Sequence, residues 1–447
     1  GMWLPECAVD TATLEALAEA GVAFTILAPH QAARVRAPGG AWQDVDGAEP
    51  GRGYRCPLPS GRSIELYFYD GPLARAVAFE RLLTDGGVLA RRLVDGGRDD
   101  APLRHIATDG ETYGHHHRYG DMALAWALAS IARGDHPGAS LTTYEAFRAS
   151  HPPTWEVAIR DNTSWSCAHG VERWRSDCGC NSGGRPGWRQ AWRQPLRAAL
   201  DRLRGRADAL LDGVGATLFH DAWAARDAYL DVLLVGDDAI ERFLAAHARP
   251  GADRVRALEL MELSRHAMAM YTSCGWFFDD LGGLETVQIL RYAARVCELG
   301  EALGGAPLED AFVEALAAAR SNDAATGDGR ALWKREVITA RVDPAKLLAS
   351  HAVVVAVTGH EPPPPVAGPV VTTLELTRRR VGRAALAAGR ARVAAAITGA
   401  SRELAFAVLH LGDHQVLGGV CVTPDAAAWS AQVDELFAAF AMADLLA

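Results

Sequence analysis

The sequence has no long apolar run, few cysteines and almost no lysine. No apolar run approaches the roughly 20 residues that a helix needs to cross a bilayer, and the opening residues lack the pattern of a signal peptide. Eight cysteines in 447 residues are too few for a disulfide scaffold. Lysine occurs only as Lys334 and Lys346, and a formal net charge of -10 argues against a general binder of nucleic acid or anionic membranes. These absences predict a cytoplasmic protein with mostly reduced thiols, and they leave its oligomeric state open.

Length and composition indicate a globular protein of two or three domains. Hydrophobic residues make up 49% of the chain and charged residues 22%, as in ordinary folded proteins. A chain of 447 residues can bury several sizeable cores. The predicted elements change in type along the chain, so we predict an α/β domain at residues 1–160, a helical domain at 161–325 and a β-rich accessory domain at 330–447.

In the first domain, a polar side chain follows each predicted buried strand. Helices are expected between these strands, one of them over residues 72–95. Strands alternating with helices are typical of a parallel sheet, and the carboxyl ends of parallel strands meet on one face of a barrel. We therefore expect a barrel or partial barrel with one site on that face. The polar residues are Glu6 after a strand end, His30 after strand 22–27, Asp70 after strand 63–69 and Asp109 after strand 103–107.

The loop at residues 108–120 is the most polar of these strand ends. It carries two acids, three histidines and three glycines, and we expect Asp121 to cap the helix that follows. A loop of this composition at the carboxyl end of a barrel strand is typical of a catalytic site. A solvated turn between a strand and a helix is the alternative interpretation.

A second unusual segment carries two close pairs of metal-binding residue types. Cys167 and His169 form one pair, and Cys178 and Cys180 form the other, with eight residues between the pairs. Zinc sites favour these residue types but usually at C-x₂₋₄-C spacing. Buried or loop thiols beside tryptophans are therefore the favoured interpretation, and no metal and no cofactor are predicted.

The middle of the chain is rich in amphipathic helices. One insertion, residues 271–283, interrupts the pattern with aromatic residues followed by acids and a glycine pair. Aromatic faces beside carboxylates suit sugar rings, and an aromatic plug between helices is the alternative. The periodic segments are residues 196–211, 221–234, 237–246, 255–270, 285–303 and 308–320.

The last part of the chain follows a linker-like stretch at residues 321–329. Strands are predicted at residues 352–357 and 370–376, and a hairpin is predicted from 403–410 and 415–417. A helix over residues 426–446 is expected to close this domain. Nothing in the region indicates a particular chemistry.

Several of these segments resemble motifs of glycoside hydrolase family 57. Residues 3–8 (WLPECA) resemble its nucleophile motif, and residues 108–114 (TDGETYG) are similar to the motif that carries its general acid/base. Residues 163–174 resemble a tryptophan-containing segment of branching-enzyme-like members, and residues 273–279 resemble a tryptophan-rich motif of the helical domain. The chain from about residue 160 onward looks like the poorly characterised domain that follows the barrel in one bacterial subgroup.

The resemblance implies a fold, an activity and a set of site residues. The fold would be α/β, an incomplete (β/α)7-type barrel followed by a helical bundle and a small β-rich domain. The activity would be hydrolysis or transfer of α-1,4-glucans with retention of configuration, with Glu6 as nucleophile and Asp109 as general acid/base. The other residues expected to bind substrate are Trp3, His30, Asp70, Glu111, His115, Arg118, Trp165, His169, Trp276, Phe277 and Asp279.

The sequence departs from the family's motifs at its amino-terminal end, and two other functions fit it. The family's amino-terminal His-Gln-Pro motif is absent, and Pro29 precedes His30-Gln31 instead of following it, so we expect the first barrel strands to be missing. A chain without those strands would fit a non-catalytic α-glucan-binding protein. Asp109 beside three consecutive histidines would also fit a metal-dependent carbohydrate deacetylase-like protein.

Overall fold

The computed structural model describes residues 1–95, 98, 100–365, 368–422 and 426–442. The chain separates into two units, Gly1–Gly184 and Arg185–Ala447. In the part of the chain that the structure describes, no helix combines the length and apolar character needed to cross a bilayer.

The first unit is built on a six-stranded mixed sheet in the order β1-β5-β4-β6-β2-β3. β1 is parallel to β5 and β4 is parallel to β6, whereas the other neighbours are antiparallel. Met2 extends the parallel side through a bridge to Thr25. The α/β class is confirmed, while the sheet is mixed rather than parallel throughout. The strands are β1 (Phe24–Leu27), β2 (Ala32–Arg36), β3 (Gln43–Asp44), β4 (Gly53–Pro57), β5 (Ser63–Phe68) and β6 (Trp155–Ile159).

In the described part of the first unit, five α-helices connect or flank these strands. The predicted helix 72–95 is two helices, because Arg81 takes a left-handed φ of 59° and Asp85 caps a new helix by accepting from Gly87 and Val88. The prediction that Asp121 caps a helix was wrong, since Tyr119 precedes the first helical residue and Asp121 lies in the first turn. The helices are α1 (Thr11–Glu19), α2 (Gly71–Phe79), α3 (Gly86–Val94), α4 (Gly120–Ala132) and α5 (Tyr144–Ser150).

The predicted strand at residues 103–107 does not form. Two backbone hydrogen bonds hold this segment instead: Leu103 N–H donates to Gly51 O at 3.0 Å, and Asp70 N–H donates to His105 O at 2.9 Å. These bonds are too few for a ladder, but they fix the segment beside the end of β5. Asp109 therefore still follows an anchored segment.

Strand β5 is buried on both of its faces, and this burial fixes the position of its carboxyl end, where Tyr69 and Asp70 follow. Ile64, Leu66 and Phe68 belong to one apolar cluster, with Leu14 of α1. Tyr67 points to the opposite face and belongs to a second cluster. Because successive side chains of a strand alternate, burial on both faces explains the continuous apolar run at this position.

The second unit begins with helices, as the sequence periodicity predicts. The helix Arg254–Ala269 packs against both Arg193–Gly213 and Leu284–Ala302. The predicted helix 221–234 is two short helices. The elements are α6 (Arg193–Gly213), α7 (Gly215–Leu218), α8 (Ala222–Ala228), α9 (Leu230–Val235), α10 (Asp237–His247), α11 (Arg254–Ala269), α12 (Cys274–Phe277), α13 (Leu284–Ala302), α14 (Glu309–Leu316), α15 (Gly329–Leu332), a π-helical segment (Trp333–Ile338), α16 (Pro344–Thr358) and α17 (Ala426–Met442).

The second unit ends in a four-stranded antiparallel sheet between two helices. One face packs against α16 and the other against α17. The predicted hairpin around Asp413 is confirmed. Helix α17 is described over Ala426–Met442, and the remainder of the predicted helix 426–446 lies outside the described residues. The strands, in the order β10-β9-β8-β7, are β7 (Val370–Val381), β8 (Ala384–Ala394), β9 (Ser401–Gly412) and β10 (Gln415–Val422).

The predicted strand at residues 352–357 was wrong, because these residues belong to α16. Asp343 caps the helix by accepting from Lys346 N–H at 2.8 Å, Pro344 starts it, and Gly359 ends it at φ 80°. The apolar run inside is helical because both ends carry cap residues.

Candidate active site

Glu6 lies in a strained backbone conformation directly after the extended segment that contains Met2. It belongs to the one-turn 3-10 helix Pro5–Cys7, and both Glu6 (φ 58°) and Cys7 (φ 48°) are left-handed without being glycine. Such a conformation costs roughly 1–2 kcal/mol per residue, so surrounding contacts must hold it. One of them is the buried Gln31, whose Nε2 donates to Cys7 O at 2.7 Å.

The carboxylate of Glu6 is held by two consecutive side chains. Its Oε2 accepts from Trp165 Nε1 at 2.9 Å and from Ser166 Oγ at 2.7 Å. The backbone is tied to the same segment, because Trp165 N–H donates to Glu6 O at 3.0 Å. These bonds engage Oε2 and fix the orientation of the carboxyl group.

Aromatic rings lie beside this carboxylate. The ring of Trp165 meets Trp3 at a centroid distance of 5.4 Å and Tyr69 at 6.2 Å, both edge to face. Trp3 remains 39% exposed. The site thus combines a fixed carboxylate with an accessible aromatic surface, which suits the apolar faces of a sugar ring.

Asp109 lies in the same electrostatic environment as Glu6. It precedes the 3-10 turn Gly110–Thr112. Desolvation raises the pKa of Asp109, the negative charges of Glu6 and Glu111 raise it further, and His116 opposes them. Burial, with the charges of Glu6 and Asp109, also raises the pKa of Cys7 to about 12, so that side chain stays a neutral thiol.

Two of the predicted substrate-binding residues are engaged by the fold. Asp70 caps α2 by accepting from Leu73 N–H at 2.9 Å, and its other oxygen lies 3.1 Å from Arg104 Nη2. His30 Nε2 lies 3.1 Å from Ser164 O. Both side chains are thus tied to the backbone around the site, and their binding to substrate stays a prediction.

The loop after Asp109 presents its polar residues in different ways. The backbone carbonyl of Glu111 accepts from His115 and His116, and the rings of these two histidines are 5.0 Å apart. Arg118 lies 4.8 Å above the ring of Tyr119. Roles of Glu111, His115 and Arg118 in binding substrate stay predictions.

His169 belongs to a separate cluster of potential metal ligands. We call it the thiol cluster, and it consists of Cys167, His169, Cys178 and Cys180, whose ligand atoms all lie within 4.8 Å of one another. Among the described residues it is the one group of three or more such side chains close enough to share an ion. Among the same described residues, Asp109 and the histidines at 115–117 do not form a group of potential metal ligands close enough to share an ion.

The remaining predicted residues lie in the second unit. Trp276 is 1% exposed and Asp279 is 5% exposed, and the backbone carbonyls of Phe277 and Phe278 accept from Arg193 Nη2 at 3.1 Å each. Phe277 is partly exposed. Burial of Trp276 fits the aromatic-plug interpretation of this segment, and its binding of sugar stays a prediction.

Two surface cavities in the first unit lie away from the carboxylates. One, of about 430 Å³, is lined by residues that include Asp44 and Arg160. The other, of about 470 Å³, is lined by residues that include Glu65 and Arg148. Neither of these two cavities is lined by Glu6 or Asp109.

Sequence reasoning missed three residues that shape the site: Gln31, Tyr69 and Ser166. Gln31 adjoins the predicted His30, Tyr69 adjoins the predicted Asp70, and Ser166 adjoins the predicted Trp165. Their position next to predicted site residues was the one signal in the sequence that could have found them. Which neighbour faces Glu6 depends on contacts between distant segments.

A family model described as "Domain of unknown function (DUF3536)" matches residues 188–447, more than half of the chain. The chain belongs to the DUF3536 family. The DUF3536 match covers the helices and antiparallel sheet of the second unit, whereas Glu6, Asp109 and the thiol cluster precede it. No curated protein matches this DUF3536 chain.

A solved structure shares the fold of the DUF3536 chain. It is an exo-type maltose-forming amylase from Pyrococcus sp. ST04, with a TM-score of 0.52 and 14% sequence identity, covering 75% of this chain and 68% of that chain. At this identity the similarity establishes a shared fold and leaves the activity to be argued from the site.

Proposed function

We propose that the protein is a retaining glycoside hydrolase or transglycosidase of family 57 type that acts on α-1,4-glucans. Glu6 is the nucleophile and Asp109 the general acid/base, both in the catalytic part at residues 1–160. The observation that carries the proposal is the Glu6 carboxylate, held by Trp165 Nε1 and Ser166 Oγ beside the exposed ring of Trp3; the raised pKa of Asp109, to which the charge of Glu6 contributes, supports it. The fold shared with a maltose-forming amylase supports the choice of substrate class.

A retaining mechanism needs two carboxyl groups in different protonation states. One must be ionised to attack the sugar, and the other must hold a proton for the leaving group. Glu6 accepts hydrogen bonds from an indole N–H and a hydroxyl, which hold its carboxyl group in one orientation. Desolvation and two neighbouring negative charges favour the protonated form of Asp109. Asp109 is therefore the carboxyl group suited to hold the proton, and Glu6, fixed by its two donors, is the group assigned to attack the sugar.

The reaction proceeds in two balanced steps. In the first, Glu6 attacks the anomeric carbon while the bond to the leaving oxygen breaks and that oxygen takes the proton of Asp109. In the second, ionised Asp109 removes a proton from water or from a sugar hydroxyl, which displaces Glu6 from the anomeric carbon. Water gives hydrolysis, and a sugar hydroxyl gives transfer. Trp3 and Trp165 offer aromatic surface for the rings beside the scissile bond.

The test is incubation with maltoheptaose and chromatography of the products. Shorter products alone mean hydrolysis, and longer and shorter products together mean transfer. Glu6→Gln should abolish turnover, whereas Glu15→Gln, which changes an exposed carboxylate of α1, should leave it unchanged. Normal turnover by a folded Glu6→Gln variant would refute the assignment. Binding of maltoheptaose without any product would favour a non-catalytic glucan-binding protein.

Chemical rescue separates the two proposed roles. Azide can occupy the space left by the carboxylate in a Glu6→Ala variant and attack from the same face, giving a glycosyl azide of inverted configuration. In an Asp109→Ala variant, azide should instead attack the glycosyl-enzyme formed on Glu6 and give the retained configuration. Exchanged configurations would reverse the two assignments.

A further inference from the structure

We propose that the thiol cluster binds one zinc ion as a structural site. The cluster supplies three sulfur ligands and one imidazole, a Cys₃His set that is common in structural zinc sites. This reverses the expectation from sequence, which favoured thiols without a metal because the Cys-x-His and Cys-x-Cys spacings are shorter than usual.

The distances fit one small tetrahedral ion. With Zn–S bonds near 2.3 Å and Zn–N bonds near 2.0 Å, two sulfurs of a tetrahedral site lie about 3.8 Å apart and a sulfur and a nitrogen about 3.5 Å apart. Cys167 Sγ lies 3.7 Å from Cys180 Sγ, and His169 Nδ1 lies 3.4 Å from Cys180 Sγ. The separation of the two sulfurs is well beyond the roughly 2.0 Å of a disulfide bond.

Backbone geometry explains how the short spacings meet at one point. Gly179, between Cys178 and Cys180, has a left-handed φ of 82°, which lets the chain turn sharply between the two thiols. Gly170, directly after His169, has the same φ of 82°, and a Cβ there would lie 2.2 Å from Asn162 O. The loop is thus shaped by two glycines next to the proposed ligands.

The protonation balance of binding is simple. Zinc binds thiolates, so each of the three thiols releases its proton to solvent, and the imidazole binds in its neutral form. Three thiolates and Zn²⁺ leave a net charge of about −1 on the complex. No oxidation or reduction is involved.

The cluster is continuous with the segment that holds Glu6. Cys167 follows Trp165 and Ser166, the two donors to the Glu6 carboxylate. Arg173, between the two ligand pairs, donates from Nη1 to Ser166 O at 2.8 Å. A metal at the cluster would therefore fix the loop that positions these donors. This structural effect does not depend on the chemistry proposed for Glu6.

The test is the metal content of the full chain, purified without a histidine tag and measured by elemental analysis. We expect about one zinc per chain, released when a mercurial reagent modifies the thiols. Cys180→Ser should reduce the zinc content at least several-fold, whereas Cys421→Ser, at an exposed cysteine of β10, should keep it. Zinc-free protein with reduced thiols, a disulfide within the cluster, or iron in place of zinc would each overturn the proposal.

A spectroscopic measurement covers the case in which Cys180→Ser does not fold. Cobalt introduced into the native chain in place of zinc should give thiolate-to-cobalt charge transfer and the intense visible bands of a tetrahedral site. Bands of octahedral cobalt without thiolate charge transfer would refute the site, whatever the variant does. Neither readout depends on glucan turnover, so failure of the zinc site and failure of the proposed function can be told apart.

Discussion

Removing the hydroxyl of Ser166 is the sharpest test of how the site works. The Ser166→Ala variant keeps the charge of Glu6 and the ring of Trp165, but it removes the 2.7 Å bond to Oε2. A hydrogen bond to a charged group contributes about 1.5–3 kcal/mol. Because the Trp165 bond remains at 2.9 Å, we expect a smaller loss of about 1–2 kcal/mol in transition-state stabilisation.

That loss corresponds to a fall of about 5- to 30-fold in kcat/KM. The physical reason is orientation, since a carboxylate held by one donor samples rotations that take it away from the attacking geometry. The assay is initial-rate hydrolysis or transfer with maltoheptaose, together with circular dichroism and a denaturant curve to verify folding. The kcat/KM of Trp165→Phe should fall by a similar factor, because this variant removes the other donor to Glu6 and keeps an aromatic ring.

A matched control exists in the same unit. Ser60 Oγ donates to Glu15 Oε2 at 2.6 Å on the exposed surface, so Ser60→Ala removes the same kind of bond away from Glu6. Activity of Ser60→Ala should stay within twofold of the native value. A folded Ser166→Ala variant with native kcat/KM would refute the argument that these bonds position the nucleophile.

Three further predictions concern pH and stability. Because the pKa of Asp109 is raised, activity should be lost as the pH rises through that pKa and Asp109 loses its proton. Glu111→Gln removes one of the negative charges that raise this pKa, so it should move the alkaline limb of the kcat/KM profile to lower pH. An unmoved limb would contradict the role of Glu111. Gly170→Ala should lower the free energy of unfolding by roughly 2 kcal/mol or more, because the new side chain would combine a φ of 82° with the contact to Asn162 O. Gly183→Ala, at φ 81° with no described atom within 4 Å of its Cβ, should lower it by about 1 kcal/mol. Equal losses in urea titrations would show that the contact to Asn162 O is relieved. Burial lowers the pKa of His105 from its ordinary value near 6.5 to about 4. Between these values the unfolded chain binds more protons than the folded chain, so the free energy of unfolding should fall as the pH drops from 6.5 towards 4. In urea titrations at pH 7 and pH 5, His105→Gln should show a smaller fall than the native chain, and an equal fall would contradict this account.

The sequence predicted the elements whose local pattern and neighbours agree. The apolar runs at 22–27 and 63–69 form the parallel pair β1 and β5, and the hairpin around Asp413 forms as expected. In both cases the period of the side chains matches the burial that the fold provides.

The errors arise where a short apolar run is ambiguous. Residues 352–357 contain alanines and valines that suit either a strand or a buried helix, and the cap residues Asp343 and Gly359 decide for the helix. Residues 103–107 resemble a strand, but among the described residues their backbone hydrogen-bonds to the backbone of Gly51 and Asp70 alone. Strand formation depends on a complete neighbouring edge, which the segment's own sequence does not encode.

The candidate site was predictable in its carboxylates and unpredictable in their partners. Glu6 and Asp109 each follow a recognisable segment, whereas the donors to Glu6 lie 159 and 160 residues further along the chain. No local period connects residues at that separation. The closeness of the four ligand atoms in the thiol cluster likewise depends on the path of a loop that contains the short 3-10 turn Glu172–Trp174.

The conformation of Glu6 is therefore a property of the folded unit and not of its own segment. Two left-handed residues, at roughly 1–2 kcal/mol each, are stabilised by Gln31 on one side and by Trp165 and Ser166 on the other. The apolar cluster that includes Leu14 and Leu66 contains none of the four thiol-cluster residues, although Trp165 packs against it. Loss of a metal should therefore spare the sheet and first disorder the loop from Ser166 onward. Metal depletion should then change the tryptophan fluorescence before the unit unfolds, and Trp165→Phe should reduce that change, because this variant separates Trp165 from the other tryptophans of the chain. Simultaneous loss of the fluorescence signal and of the far-ultraviolet dichroism would instead mean that loop and sheet form one cooperative structure.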